Sequence, residues 1–93
     1  MTKYWVGGSG NWSDDTNHWA LSSGGLPGIG NLPTSSDNVI FDILSSAIAY
    51  TVTTDAAANC ADMTWGNPLI GAPTLAGSFA LNIYGSLSFV SGM

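Results

Sequence analysis

From residue 37 onward, apolar and polar positions alternate in short runs. Val39-Ile40-Phe41 is an apolar run behind an Asp37-Asn38 turn. Ala49-Tyr50-Thr51-Val52-Thr53 alternates and is rich in β-branched residues. In Ala61-Asp62-Met63-Thr64-Trp65, the residues Ala61, Met63 and Trp65 fall on one side. In Ala80-Leu81-Asn82-Ile83-Tyr84, Leu81 and Ile83 face inward and Asn82 outward, and Leu87-Ser88-Phe89-Val90 repeats the pattern after a Gly85-Ser86 turn. Each run predicts a strand. Gly66-Asn67-Pro68, Gly71-Ala72-Pro73 and Ala76-Gly77-Ser78 punctuate them.

Residues 4–36 lack such a period. Trp5, Trp12 and Trp19 recur at every seventh position, but Gly7, Gly8, Gly10, Gly24, Gly25, Gly28 and Gly30 forbid a long helix. Tyr4-Trp5-Val6 reads as a short strand. Asn11 to Trp19 reads as a compact loop or one helical turn capped from Ser13-Asp14-Asp15, and Leu21 to Pro33 as a loop. The chain therefore divides into a Trp/Gly-rich N-terminal cap, 1–36, and a strand-bearing part, 37–93.

The strand centres Ile40, Met63 and Ile83 lie about 20–23 residues apart, with a second series at Val52, Leu75 and Phe89. That spacing is the length of one coil of a parallel β-solenoid. The predicted fold is all-β: short right-handed parallel β-solenoid (β-helix) coils closed by the N-terminal cap. A β-sandwich, which also strings short strands between turns, is the alternative. Ala80 to Met93 is strongly β-forming and no polar capping unit follows it, so its edge is expected to be covered by further sequence or a partner chain.

Composition narrows the function. The chain has 93 residues, 45% hydrophobic and 8% charged, with a single Lys or Arg, six acids and a net charge of −5. Nucleic acid needs Lys and Arg, and an anionic membrane surface needs them too, so both partners are disfavoured. The near absence of Glu, Lys, Arg and Gln removes the usual solvent face of a helical bundle. The aromatic content of 11% argues against disorder. No window approaches a membrane span, and the N-terminus lacks a signal peptide's charged start and apolar run, so the expected place of synthesis and assembly is the cytoplasm. Cys60, the only cysteine, reads as a buried structural thiol.

The run Tyr4-Trp5-Val6-Gly7-Gly8-Ser9-Gly10-Asn11-Trp12-Ser13-Asp14, then His18-Trp19, Ser22-Ser23-Gly24-Gly25 and Leu32 to Asp42, resembles an N-terminal module of tailed-bacteriophage virion and tail-fibre-type β-solenoid proteins. Related modules begin some bacterial β-helix adhesins. Leu75-Ala76-Gly77-Ser78, Ala80 to Leu87 and Ser91-Gly92-Met93 are similar to the first solenoid coils of such proteins. The resemblance covers most of the chain. It implies a non-enzymatic structural part of a virion, assembled in the host cytoplasm as a homotrimer or with other virion proteins. It carries over no catalytic residue and no cofactor.

The side chains admit sharper chemistry. Trp5, Trp12 and Trp19 could stack on a host surface glycan. Alternatively they form the core of the cap, Trp12 and Trp19 packing on Phe41; the scarcity of other large apolar residues before Asp37 favours this. Trp65 lies in strand alternation and reads as core. Asn11, Asp14, Asp15 and Asn17 are oxygen donors of the kind calcium takes, but they lack the EF-hand pattern and read as capping and solvated residues. His18 stands alone, without the partners zinc requires, and reads as a surface or cap hydrogen-bonding residue. Asp42 and Asp62, 20 residues apart, would stack as a carboxylate pair if the coil were that long, as a polysaccharide-cutting tailspike would need; solvated turn aspartates are the simpler reading. Leu81, Ile83, Leu87 and Phe89 are the expected assembly contact. The favoured function is thus a structural virion module for attachment or capping. The alternatives are a carbohydrate-binding adhesin module and a fragment of a polysaccharide-degrading tailspike.

Overall fold

The runs through 39–41, 50–54 and 63–65 become strands that bury every second residue. The computed structural model describes residues 1–42, 45, 49–65 and 73–88. Its strands are β1 (Thr2–Trp5), β2 (Gly10–Asn11), β3 (Trp19–Ala20), β4 (Asn38–Phe41), β5 (Tyr50–Thr54), β6 (Ala58–Cys60), β7 (Met63–Trp65), β8 (Pro73–Gly77), β9 (Leu81–Ile83) and β10 (Leu87–Ser88). One helix of four residues, α1 (Asp15–His18), lies between β2 and β3. The described chain is all-β apart from that turn.

The strands form three small sheets: β10-β7-β4-β1-β3, β2-β5-β8 and β6-β9. The first is mixed. β1 pairs antiparallel with β3, through Trp5 opposite Trp19, and every other strand pairing is parallel. From β4 onward the chain visits the sheets in rotation: β4, β5, β6, then β7, β8, β9, then β10. Each return lands beside the previous pass. Val39 faces Met63 and Met63 faces Leu87, 24 positions on each time. Val52 faces Leu75 and Cys60 faces Ile83, both 23 positions on.

This register corrects two expectations. Ile83 pairs with Cys60 instead of continuing the Ile40–Met63 series, whose next member is Leu87. The spacing is 23–24, because β6 (Ala58–Cys60) adds a short third strand that residue texture alone does not reveal. The antiparallel β-sandwich does not describe these pairings.

Burial follows from the pleat. Val39 and Phe41 of β4, Met63 and Trp65 of β7, Tyr50 and Val52 of β5, and Ala58 and Cys60 of β6 all point into one cluster. Leu81 and Ile83 of β9 pack against it, half-buried, with Asn82 outside. The three sheets therefore surround a single core. Buried on one face and stacked in parallel, the strands are Val/Ile/Thr- and aromatic-rich.

The corners are held by side chains reaching one pass along. Asn38 Oδ1 accepts the Asp62 amide (3.1 Å), and Asp62 Oδ1 accepts the Ser86 amide (2.8 Å). Asn82 Nδ2 donates to Asn59 Oδ1 (3.3 Å) on the outer face of the third sheet. At the end of β8, Gly77 adopts φ +116°, and a Cβ there would sit 2.6 Å from the Thr54 carbonyl oxygen and 2.7 Å from its amide nitrogen. Both obstacles are backbone, so they cannot swing away.

Gly77→Ala is therefore expected to destabilise the chain by about 1–3 kcal/mol, the usual range for a side chain forced into such a conformation. Urea unfolding of the variant measures it; an unchanged midpoint would show that this corner is wrongly placed.

Candidate functional site

Two regions combine the chemistry singled out by the sequence: the aromatic end of the molecule and the free strand edges at its other end.

The aromatic end begins with β1, which brings Trp5 inward. Trp19, opposite it on β3, meets its ring edge-on at 5.1 Å between centroids. Trp12 meets Trp19 in the same manner at 4.9 Å. Phe41 lies 5.8 Å from Trp19 and 5.9 Å from Trp5, and stacks on Trp65 at 3.9 Å with 11° between planes. Edge-to-face and stacked contacts of this kind are the favourable geometries for aromatic rings. The indole N–H groups are directed as well: Trp5 Nε1 donates to the Gly8 carbonyl and Trp19 Nε1 to the Trp12 carbonyl, each at 2.7 Å.

These contacts place Trp12, Trp19 and Phe41 in the cap core, as expected from the scarcity of other apolar residues nearby. They also correct the glycan reading. Trp5, Trp12 and Trp19 are 0%, 2% and 0% exposed, so no indole face is open for a sugar ring. Trp65, 1% exposed, is core too; its indole N–H is buried without a hydrogen-bond partner.

Of the two places open to His18, the surface or a hydrogen-bonding position in the cap, the structure takes the second. The residue is buried, not on the surface, and its ring lies flat on Trp5 at 4.4 Å with 4° between planes. Its Nδ1–H donates to the Val6 carbonyl (2.7 Å). The space comes from Gly10, where a Cβ would lie 2.0 Å from His18 Nε2. A sole imidazole in a segment dense in glycine was the available signal, but nothing local says which glycine faces it.

The acidic residues disperse. Asp14 occupies the N-cap position of α1 without a side-chain capping bond; its carboxylate accepts Asn17 Nδ2 instead (3.0 and 3.2 Å). Asp15 accepts the Gly30 amide (2.9 Å), and Asn11 sits exposed on β2. Among the described residues, no group of three or more His, Cys, Asp or Glu could hold a metal ion. Asp42 and Asp62 do not stack. In the 24-residue register Asp62 aligns with Asn38 and Ser86, while Asp42 lies beyond the opposite end of the same strand row. The spacing of 20 residues was simply not the repeat.

One buried ionic contact escaped the sequence. Asp37 accepts the Thr34 amide (2.9 Å) and hydroxyl (3.2 Å), and pairs with the Met1 ammonium (3.3 Å) and Lys3 Nζ (3.9 Å). Burial pushes its carboxyl up, but these hydrogen bonds and the Lys3 charge outweigh it and hold the pKa below the usual value. Its contribution to stability is thus present at neutral pH and is lost as pH falls through the lowered folded value. Asp55 is likewise held low: the Ser13 hydroxyl and amide donate to it and outweigh its burial. Cys60 is fully buried. Burial, then the charge of Asp62, pushes its thiol up to about 11, as expected of a structural cysteine.

The opposite end of the molecule presents the free edges. Among the described residues, β10, β8 and β9 are each the last strand of their sheet. Leu81 and Ile83 lie half-buried beneath that end, and Leu87 is 45% exposed, with Leu75, Phe79 and Tyr84 also exposed. Phe89, the fourth expected contact, lies outside the described residues. No charged residue occurs in 73–88. Unpaired N–H and C=O groups without charges beside them are competent to pair with another strand. Comparison with protein-family models, with curated proteins and with solved structures finds no match.

Replacing Trp19 by Ala removes the ring that Trp5, Trp12 and Phe41 share, and is expected to cost about 3–5 kcal/mol in urea unfolding. Unchanged stability together with lost glycan binding would return the tryptophans to a sugar-binding role.

Proposed function

We propose that this chain is a structural component of a bacteriophage virion (a tail-fibre, tail or decoration-type protein) built as an attachment or capping module of a right-handed parallel β-solenoid. The observation that carries this reading is the recurrence of parallel pairing at 23–24 residues in all three sheets, with one end closed. At the closed end β3 turns antiparallel to β1, and the Trp5–Trp12–Trp19 cluster fills the space beneath. A solenoid needs such a terminal unit, because each coil buries its apolar side chains only against its neighbours.

The chemistry supports a binding and building role. The carboxylates are engaged in turns, the histidine is packed, and the thiol is buried. The low-charge surface and the uncharged edges of β8, β9 and β10 favour association through strands. In this reading the chain joins other virion proteins and copies of itself, as a homotrimer, with Leu81, Ile83 and Leu87 in or under the contact.

The test has two arms. Antibody raised against the chain is expected to label tails or fibres of particles released by cells that encode it, and sedimentation of the purified chain at tens of micromolar is expected to show an oligomer. Unlabelled particles alongside abundant free protein would contradict the virion role. A stable, soluble monomer would contradict association through the free edges.

A further inference from the structure

The closed end carries a second apolar feature that the cap does not use. Leu21, Leu26, Ile29 and Leu32 lie within twelve residues and are 54%, 92%, 84% and 38% exposed. Single exposed leucines are ordinary on protein surfaces, but several on one short loop are not. The loop is also pinned. The Gly25 amide donates to the Ser22 carbonyl (3.0 Å), and the Gly28 amide to the Trp19 carbonyl (3.2 Å). Asn31 Nδ2 donates to the same Trp19 carbonyl (3.1 Å), and the Gly30 amide to Asp15 Oδ2 (2.9 Å). Leu26 and Ile29 are therefore held out on a fixed backbone, on either side of Pro27-Gly28.

Their position decides the mode of contact. Ala20 of β3 faces Tyr4 on one edge and Pro27 on the other, so Pro27 lies beyond β3, at the end of the sheet farthest from β10. Proline has no N–H to donate, which blocks strand pairing at this edge. What this edge offers a partner is its exposed side chains, Leu26 and Ile29.

Charge decides the partner. Asp15 bonds the loop at Gly30, and Asp42 Oδ2 accepts the Ser23 hydroxyl (2.7 Å) at the loop's other end. Asp14 adjoins Asp15. The one Lys or Arg of the chain, Lys3, is buried against Asp37. The apolar loop is thus bordered by negative charge with no exposed lysine or arginine to offset it. A second copy would bring the same acids to the same place, and an anionic lipid surface would be repelled. We propose that the 21–32 loop is a docking surface for a different protein, one that presents an apolar face flanked by lysine or arginine, with Leu26 and Ile29 as the contacting side chains. Because the backbone is already ordered, little conformational entropy is lost on docking.

The test uses fluorescence anisotropy with labelled synthetic peptides as probes: an amphipathic leucine–lysine peptide, a leucine–glutamate peptide and a serine–lysine peptide. The 93-residue chain is expected to bind the leucine–lysine peptide about tenfold more tightly than either control, weakening as salt is raised. A Leu26→Ser/Ile29→Ser variant is expected to lose about tenfold in affinity with unchanged tryptophan fluorescence, since both side chains lie in solvent. Asp15→Asn keeps the acceptor for Gly30 and should reduce the salt dependence. Equal binding of the serine–lysine or the leucine–glutamate peptide, or an unaffected double variant, overturns the proposal. So does variant-sensitive binding to zwitterionic vesicles, which would assign the loop to lipid. The double variant separates binding at the loop from binding at the exposed Leu75 and Leu87 of the other end.

Discussion

The fold depends on keeping large aromatic rings out of water in a chain with few other means of stabilisation. It has 93 residues, one cysteine and one basic side chain, so neither a disulfide nor a network of ion pairs is available. Trp5, Phe41 and Trp65 supply the alternative. They lie on neighbouring strands of one sheet, and the Phe41–Trp65 stack at 3.9 Å forms only when Phe41 and Trp65 are paired in register. A slip of one residue in either strand would turn its ring to the outside. Trp12 and Trp19 then close the exposed end of this column, and His18 lies on its outermost ring.

From that constraint the two ends of the molecule acquire different characters. The end holding Trp12, Trp19 and His18 is finished. Its last strand runs antiparallel, its outer edge meets a proline, and the Gly25, Gly28, Gly30 and Asn31 amides of its loop have acceptors. At the other end the outer edges of β8, β9 and β10 have no strand neighbour among the described residues, and Leu81 and Ile83 of β9 are half-buried. Polar side chains are spread along the corners, where they satisfy backbone amides one pass away.

Much of this was legible in the residues. The alternation in 39–41, 50–53, 63–65 and 81–83 corresponds to β4, β5, β7 and β9, and the inward choice of Leu81 and Ile83 over Asn82 is the observed one. What escaped has a common cause: tertiary contacts define it. β2 and β3 are two residues each, strands only because a partner lies alongside. β6, Ala58-Asn59-Cys60, has weak β propensity and is shaped by its place between two turns. Missing it compressed the repeat and brought Asp42 and Asp62 into a false alignment. The contacts of His18 and the Lys3–Asp37 pair were hidden for the same reason, since their partners lie far away along the chain or opposite a glycine whose role only the fold defines.

The central claim is the parallel register of 23–24 residues around one aromatic core, and nuclear Overhauser contacts in the labelled protein test it most directly. The register predicts cross-strand backbone contacts between Val39 and Met63, between Val52 and Leu75 and between Cys60 and Ile83, in the pattern of parallel strands. Close α-proton pairs between consecutive strands, the mark of antiparallel hairpins, with no contact across those three pairs, would contradict it.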